Sequence, residues 1–163
     1  MFKKMRRIQQ QLSSEISLKI LQNQTVGTLA LAESGDYPYA VPLNYVYYNG
    51  KIYFHCATSG HKLDIIKKQN KASFCVIDAD TVVPEKYTTY FRSVIVFGEI
   101  EIVKDDDEKM SALKELSYKY VSQNEEAHQK KINDAWNRTC VLSLSIEYIS
   151  GKEAKELVVE KQK

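Results

Sequence analysis

Tyr39-Ala-Val-Pro-Leu-Asn-Tyr-Val-Tyr-Tyr-Asn-Gly-Lys-Ile-Tyr-Phe-His-Cys-Ala-Thr-Ser-Gly-His-Lys62 reads as a β-hairpin that runs into a small-residue loop tipped with two bases. Asn49-Gly50 supplies the positive backbone angles of a type I′ turn, which fixes the register of residues 39–48 against 51–57. Alternation divides the first arm into two faces, with Tyr39, Val41, Leu43, Tyr45 and Tyr47 on one and Ala40, Pro42, Asn44, Val46 and Tyr48 on the other. Pro42 has no N–H to give to a ladder, so its strand belongs at an edge, at a bulge, or beside something other than a neighbouring strand. Thr58-Ser59-Gly60-His61-Lys62 then offers hydroxyls, a glycine that lets the backbone approach, helix N-terminal amides and a permanent cation. That set holds a phosphate monoester. The competing reading is an ordinary helix cap.

Outward from this segment, Ser13 and Ser14 cap a helix that carries Ile16, Ile20 and Leu21 on one side and ends near Asn23, placed across one end of a sheet. Residues 25–32 are β-branched and small, and Glu33-Ser34-Gly35-Asp36 ends them in a hairpin loop. Downstream, residues 61–69 form a short helix with Leu63 and Ile66 on one face, and residues 72–77 return as a strand. Residues 79–84 carry turn and breaker residues and predict a mobile loop. A long strand over 87–103 follows, with Gly98 marking a bulge or a close approach. Asp105, Asp106 and Asp107 sit at the positive end of a helix bearing Met110, Leu113, Leu116 and Tyr120, which reads as a helix start rather than a metal site. Residues 124–136 predict another helix, polar throughout, in which His128 is solvated. Residues 140–149 alternate into a last strand, and the charged remainder frays.

The expected fold is mainly β with α: a six- to seven-stranded antiparallel barrel, Greek-key-like, with helices packed at its openings. One domain over residues 1–150 and a charged tail over 151–163 account for the 163 residues. A net charge of +2 from 23 basic and 21 acidic residues is too balanced for a nucleic-acid footprint. The basic start is followed by glutamines and serine rather than an apolar stretch, and no apolar run is long enough to cross a bilayer, so neither a secretory signal nor a membrane partner is expected. Cys56, Cys75 and Cys140 are odd in number and set in apolar segments, which predicts reduced, buried thiols and a cytoplasmic location, with no structural zinc.

His55 lies on the second arm, facing opposite to Phe54 and Cys56, near the end that feeds the loop. Two readings stay open for it: a donor to a bound ring or substrate, or a core histidine satisfied by a backbone carbonyl. The eleven tyrosines and Trp136 read first as packing. No serine-histidine-aspartate arrangement in a strand-turn-helix context and no paired carboxylates support hydrolysis.

Taken in order, Tyr39-Ala-Val-Pro-Leu-Asn-Tyr, Ile52-Tyr-Phe-His-Cys-Ala, Gly60-His-Lys-Leu-Asp, Arg92-Ser-Val-Ile-Val-Phe-Gly-Glu and Ser150-Gly-Lys-Glu resemble the FMN-binding split β-barrel proteins related to pyridoxamine 5′-phosphate oxidase, and among them the nitroimidazole-resistance group. The resemblance implies a homodimer with FMN in a groove at the subunit interface. It implies that Val41, Pro42, Leu43 and Asn44 run along the isoalloxazine, with His55, Cys56 and Ala57 beside it. Ser59, Gly60, His61 and Lys62 would hold the phosphate, and Arg92, Ser93 and Val94 would approach from a neighbouring long strand. His61 stands where relatives often carry arginine. The C-terminal arginines and histidine of the true oxidases have no counterpart beyond Arg138, so reductive chemistry is preferred: electrons from NADH or NADPH to a small-molecule aromatic or nitro acceptor, with His55 as the catalytic proton donor. The alternative is a non-catalytic flavin- or haem-binding module of the same fold.

Overall fold

The computed structural model describes residues 2–33, 35, 37–122 and 124–160. Helix α1, Ser14–Asn23, begins where Ser13 accepts a hydrogen bond from the Ile16 amide, and it buries Ile20 and Leu21 in the main core. Strand β1, Val26–Leu31, follows. The loop expected at 33–36 falls in part on Ser34 and Asp36, which lie outside the described residues.

The stretch 39–48 is two strands rather than one. β2, Tyr39–Asn44, pairs with β1, whereas β3, Val46–Tyr48, pairs with β4, Lys51–Ala57. The break falls at Tyr45, whose ring is fully buried and whose backbone is satisfied by a side chain instead of a ladder. Its N–H donates to the Tyr120 hydroxyl at 3.0 Å, and that hydroxyl lies 2.6 Å from the Tyr45 carbonyl and 2.6 Å from the Thr25 carbonyl. With its polar groups met off the sheet, the chain turns from one edge to the other at no cost in unpaired backbone. The type I′ reading of Asn49-Gly50 holds, with φ of 48° and 81°.

Helix α2, His61–Lys68, leads to β5, Lys71–Val83, and β6, Thr88–Ile102. Residues 79–83, expected as a loop, instead extend β5 past a bulge between Ile77 and Ala79, and pair with residues 88–92 of β6. Thr81, Val82 and Val83 are β-formers that outvote the isolated breakers beside them. Helix α3, Asp106–Tyr120, is capped by Asp105; α4, Glu125–Ala135, is capped by Asn124. Strand β7, Thr139–Glu153, runs past the expected end at 149, and α5, Lys155–Glu160, follows it. The tail does not fray at 151: Gly151, Glu153 and Ala154 are buried, and the Leu12 amide donates to the Gly151 carbonyl at 2.9 Å.

The seven strands form one antiparallel sheet in the order β2-β1-β5-β6-β7-β4-β3, curled into a split β-barrel. Its interior is filled by Leu29, Leu31, Tyr45, Ile52, Phe54, Phe74, Val96 and Leu144 among others. Pro42 is on an edge strand, as its missing N–H requires. Helices α1 and α2 join the barrel core, but α3 and α4 lie against the outer face of β3, β4 and β7, where Val46, Tyr53 and Val141 make a second apolar cluster with Leu113, Leu116 and Ile132. Those strand residues alternate with Ile52, Phe54 and Leu142, so one ladder serves two cores. Lys51 and Tyr53 both reach Glu108 on α3, at 2.9 and 2.8 Å, and hold its carboxyl below the usual range. His128, expected in solvent, is buried with its ring edge-on to Tyr118 at 5.2 Å.

Lys119 is half-buried at the C-terminal end of the first helix. Its Nζ donates to the Gln24 carbonyl at 2.6 Å and lies 4.3 Å from the centre of the Tyr45 ring. Burial lowers its titration to about 8, against about 10.4 for a lysine in the unfolded chain. Between those values the unfolded state binds more protons, so this group makes stability rise with pH across that window, its full penalty being present below it. In urea melts from pH 7.5 to 10, Lys119→Met is expected to lose that rise relative to the parent protein; parallel pH profiles would show that the ammonium is not desolvated.

Candidate functional site

At the edge where the split barrel bends, outward-facing residues of β2 and β4 come together. Val41 and Leu43 pack against the core, while Ala40, Pro42 and Asn44 are exposed. His55 is exposed on the opposite side of β4 from Phe54 and Cys56, so the core-histidine reading is set aside. Asn44 and His55 line one cavity of about 380 Å³, closed on the other side by α3 and α4 through Leu116, Tyr120 and Lys131, and bordered by Thr139. Its wall is mostly apolar with a few converging polar groups, the usual character of a small-molecule site. A larger depression of about 720 Å³ runs along α4, but polar side chains of that helix alone line it; nothing opposes a ligand from the other side.

Thr139 also borders a 260 Å³ cleft that contains Thr58, which joins the cavity to the loop ahead of α2. Gly60 caps that helix with φ of 134° and makes no side-chain cap; the Leu63 amide donates to the Gly60 carbonyl at 2.9 Å, which leaves the His61 and Lys62 amides at the tip without a partner among the described residues. Ala57, Thr58, Ser59 and Gly60 are exposed, and a Cβ built on Gly60 meets nothing within 4 Å. Lys62 forms no ion pair with any described residue; its charge is felt at the Cys56 thiol. His61 turns away: its ring is edge-on to Tyr39 at 4.9 Å and its Nε2 is 4.0 Å from Glu33. The three cysteines are free and half-buried rather than buried.

Arg92, Ser93 and Val94 are elsewhere in the same chain. Val94 pairs with Gly151, while His55 pairs with Val141, ten positions back along β7, which at about 3.3 Å per residue is roughly 30 Å. Arg92 is bound to Asp78 and Glu153, each at 3.2 Å, and Val94 is fully buried. Ser93 is half-buried. The sequence reading missed Leu116, Tyr120, Lys131 and Thr139 as cavity residues. Leu116 and Tyr120 do stand on the apolar stripe of α3, a signal that marks a packed face without saying what it faces.

The chain belongs to the pyridoxamine 5′-phosphate oxidase family, whose model matches residues 13–153. Its fold is similar to that of a candidate 5-nitroimidazole antibiotic resistance protein from Bacteroides thetaiotaomicron, at 20% identity and a TM-score of 0.72 over 88% of this chain and 86% of that one. A conserved hypothetical protein from Mycobacterium tuberculosis superposes with a TM-score of 0.80 at 17% identity, over 95% and 92% of the two chains. A FAD-binding protein from Mesorhizobium loti is 27% identical, with a TM-score of 0.65 over 89% and 96%. Among curated proteins no sequence matches.

Proposed function

We propose that this protein binds FMN and is an oxidoreductase that passes electrons from NADH or NADPH to a small aromatic or nitro acceptor. The observation that carries the reading is the adjacency of two complementary parts: uncapped helix amides with a lysine that has no ion-pair partner among the described residues, and a mostly apolar cavity edged by Asn44 and His55. The His61 and Lys62 amides, the Ser59 hydroxyl and the Lys62 ammonium fit the phosphate, since none of them has another partner among the described residues and the glycine leaves the approach open. When bound, the flavin supplies the two-electron chemistry. Leu113 and Leu116 exclude water from the cavity, Asn44 offers a polar edge, and the His55 imidazole holds or delivers a proton to a ligand there. The family membership and the FAD-binding relative support a flavin as the ligand.

FMN at about 100 times its dissociation constant is expected to stabilise the fold by about 2.7 kcal/mol, with quenched flavin fluorescence. An unchanged thermal midpoint and fluorescence would defeat the proposal. Turnover of NADH or NADPH with a nitroaromatic separates the enzyme from a flavin-storing module of the same fold.

The site is completed by a second copy. The outer sheet face crosses four strands in rows such as Pro42, Thr28, Cys75, Ile95 and Ala40, Ala30, Ser73, Phe97, with no charge in either row. Such a face suits a self-complementary two-fold interface, and Ser93, two residues from Ile95 on β6, is the residue we assign to the phosphate loop of the other copy. In the homodimer, mixing Lys62→Ala with Ser93→Glu chains is expected to restore one intact site per mixed dimer, about a quarter of all sites in a statistical mixture. Recovery of no tight sites on flavin titration of the remixed protein would place the whole site in one chain.

A further inference from the structure

The last rung of β4 and β7 that points into the barrel carries a thiol on each strand. Cys56 and Cys140 are direct register partners, so both side chains leave the sheet on the same side, with Cα atoms about 4.5–5.5 Å apart as in any antiparallel pair. A disulfide needs Cα atoms about 4.4–6.8 Å apart. The pairing meets that requirement with neither strand displaced. Both thiols are free and half-buried at the rim of the main core. Cys140 also lines the 260 Å³ cleft that holds Thr58, Lys67 and Lys109, which gives a small oxidant access to its sulfur. Burial pushes the Cys56 thiol up to about 11; the neighbouring Cys140 adds to that rise and the Lys62 ammonium opposes it. Cys140, on the cleft wall, is the sulfur that an oxidant reaches first, and Cys56, its register partner, is the thiol placed to close on it.

We propose that Cys56 and Cys140 are an oxidation site for hydroperoxides, closing to an intrachain disulfide at the base of the Thr58–Lys62 loop. Cys140 attacks the peroxide O–O bond, becoming a sulfenic acid as water or alcohol leaves. Cys56 then attacks that sulfur, the S–S bond forms, and a water carries off the sulfenic oxygen. Two electrons pass from the two sulfurs to the peroxide, and a dithiol reverses the change. Cys75 provides an internal comparison, since it lies on the outer sheet face opposite Thr28 and Ile95. The inference stands independently of the flavin reading.

The test treats the full-length protein with hydrogen peroxide, followed by intact mass, thiol titration and non-reduced peptide mapping. Expected are a mass lower by about 2 Da, loss of two of the three free thiols, a Cys56–Cys140 cross-linked peptide, and recovery on adding dithiothreitol. Cys75→Ser should behave as the parent does, and Cys56→Ser and Cys140→Ser should each form no intrachain cross-link. Mass gains of oxygen without a cross-link, a bridge that uses Cys75, or a covalent dimer in the parent protein would overturn the proposal.

Discussion

Lys62→Ala is expected to weaken FMN binding by about 1.5–3 kcal/mol, the ordinary loss for a hydrogen bond to a charged group, or about 10- to 150-fold in the dissociation constant. The size follows from what the lysine is not doing. It has no carboxylate partner among the described residues, whereas Lys68 in the same helix is 2.8 Å from Glu33 and Arg92 is held by two acids. Its charge is therefore available to a ligand, and its removal leaves the empty protein within a few tenths of a kcal/mol of the parent. Isothermal titration with FMN beside a urea melt of the apoprotein measures both quantities. A variant that binds FMN as the parent does would show that Lys62 does not touch the phosphate; one that binds weakly because it is destabilised would show instead a structural role.

Gly98→Ala should cost about 3 kcal/mol or more, the upper range for forcing atoms into a filled space, and lower the melting temperature by roughly 6–12 °C. Gly98 sits where the β6–β7 register slips between Phe97 and Gly98. A Cβ there collides with the Ser145 carbonyl oxygen and comes within 3.3 Å of Leu144 Cδ1. The obstruction is backbone midway along the β6–β7 pairing, so it cannot be relieved by a rotamer change. Differential scanning calorimetry of Gly98→Ala against the parent decides the matter, and a shift under 2 °C would mean that the bulge relaxes freely.

Sequence patterns that are local were readable from the chain alone. Asn49-Gly50 dictates its turn, Ser13 caps its helix, Asp105 to Asp107 start theirs, and Gly98 marks its bulge, because in each case a neighbouring backbone group within a few residues decides the outcome. What escaped was set at long range. The break at Tyr45 depends on a hydroxyl 75 residues away, and nothing in the alternation of residues 39–48 encodes it. His128 looked solvated because its own helix is polar, but the ring of Tyr118 on α3 covers it. The Thr58–Lys62 loop stands out as a contiguous set of residue types, while the cavity beside it required two helices to fold back onto the outside of the sheet.

The Tyr120 phenol has one proton and two carbonyls within 2.6 Å, so it latches the seam of the barrel to the end of α3 while also bordering the cavity. A molecule in that cavity lies against the residue that ties the seam, so filling it is expected to steady the Tyr45 backbone as well. Deuterium uptake at the Tyr45 amide is the measurement, expected to slow when the cavity is filled.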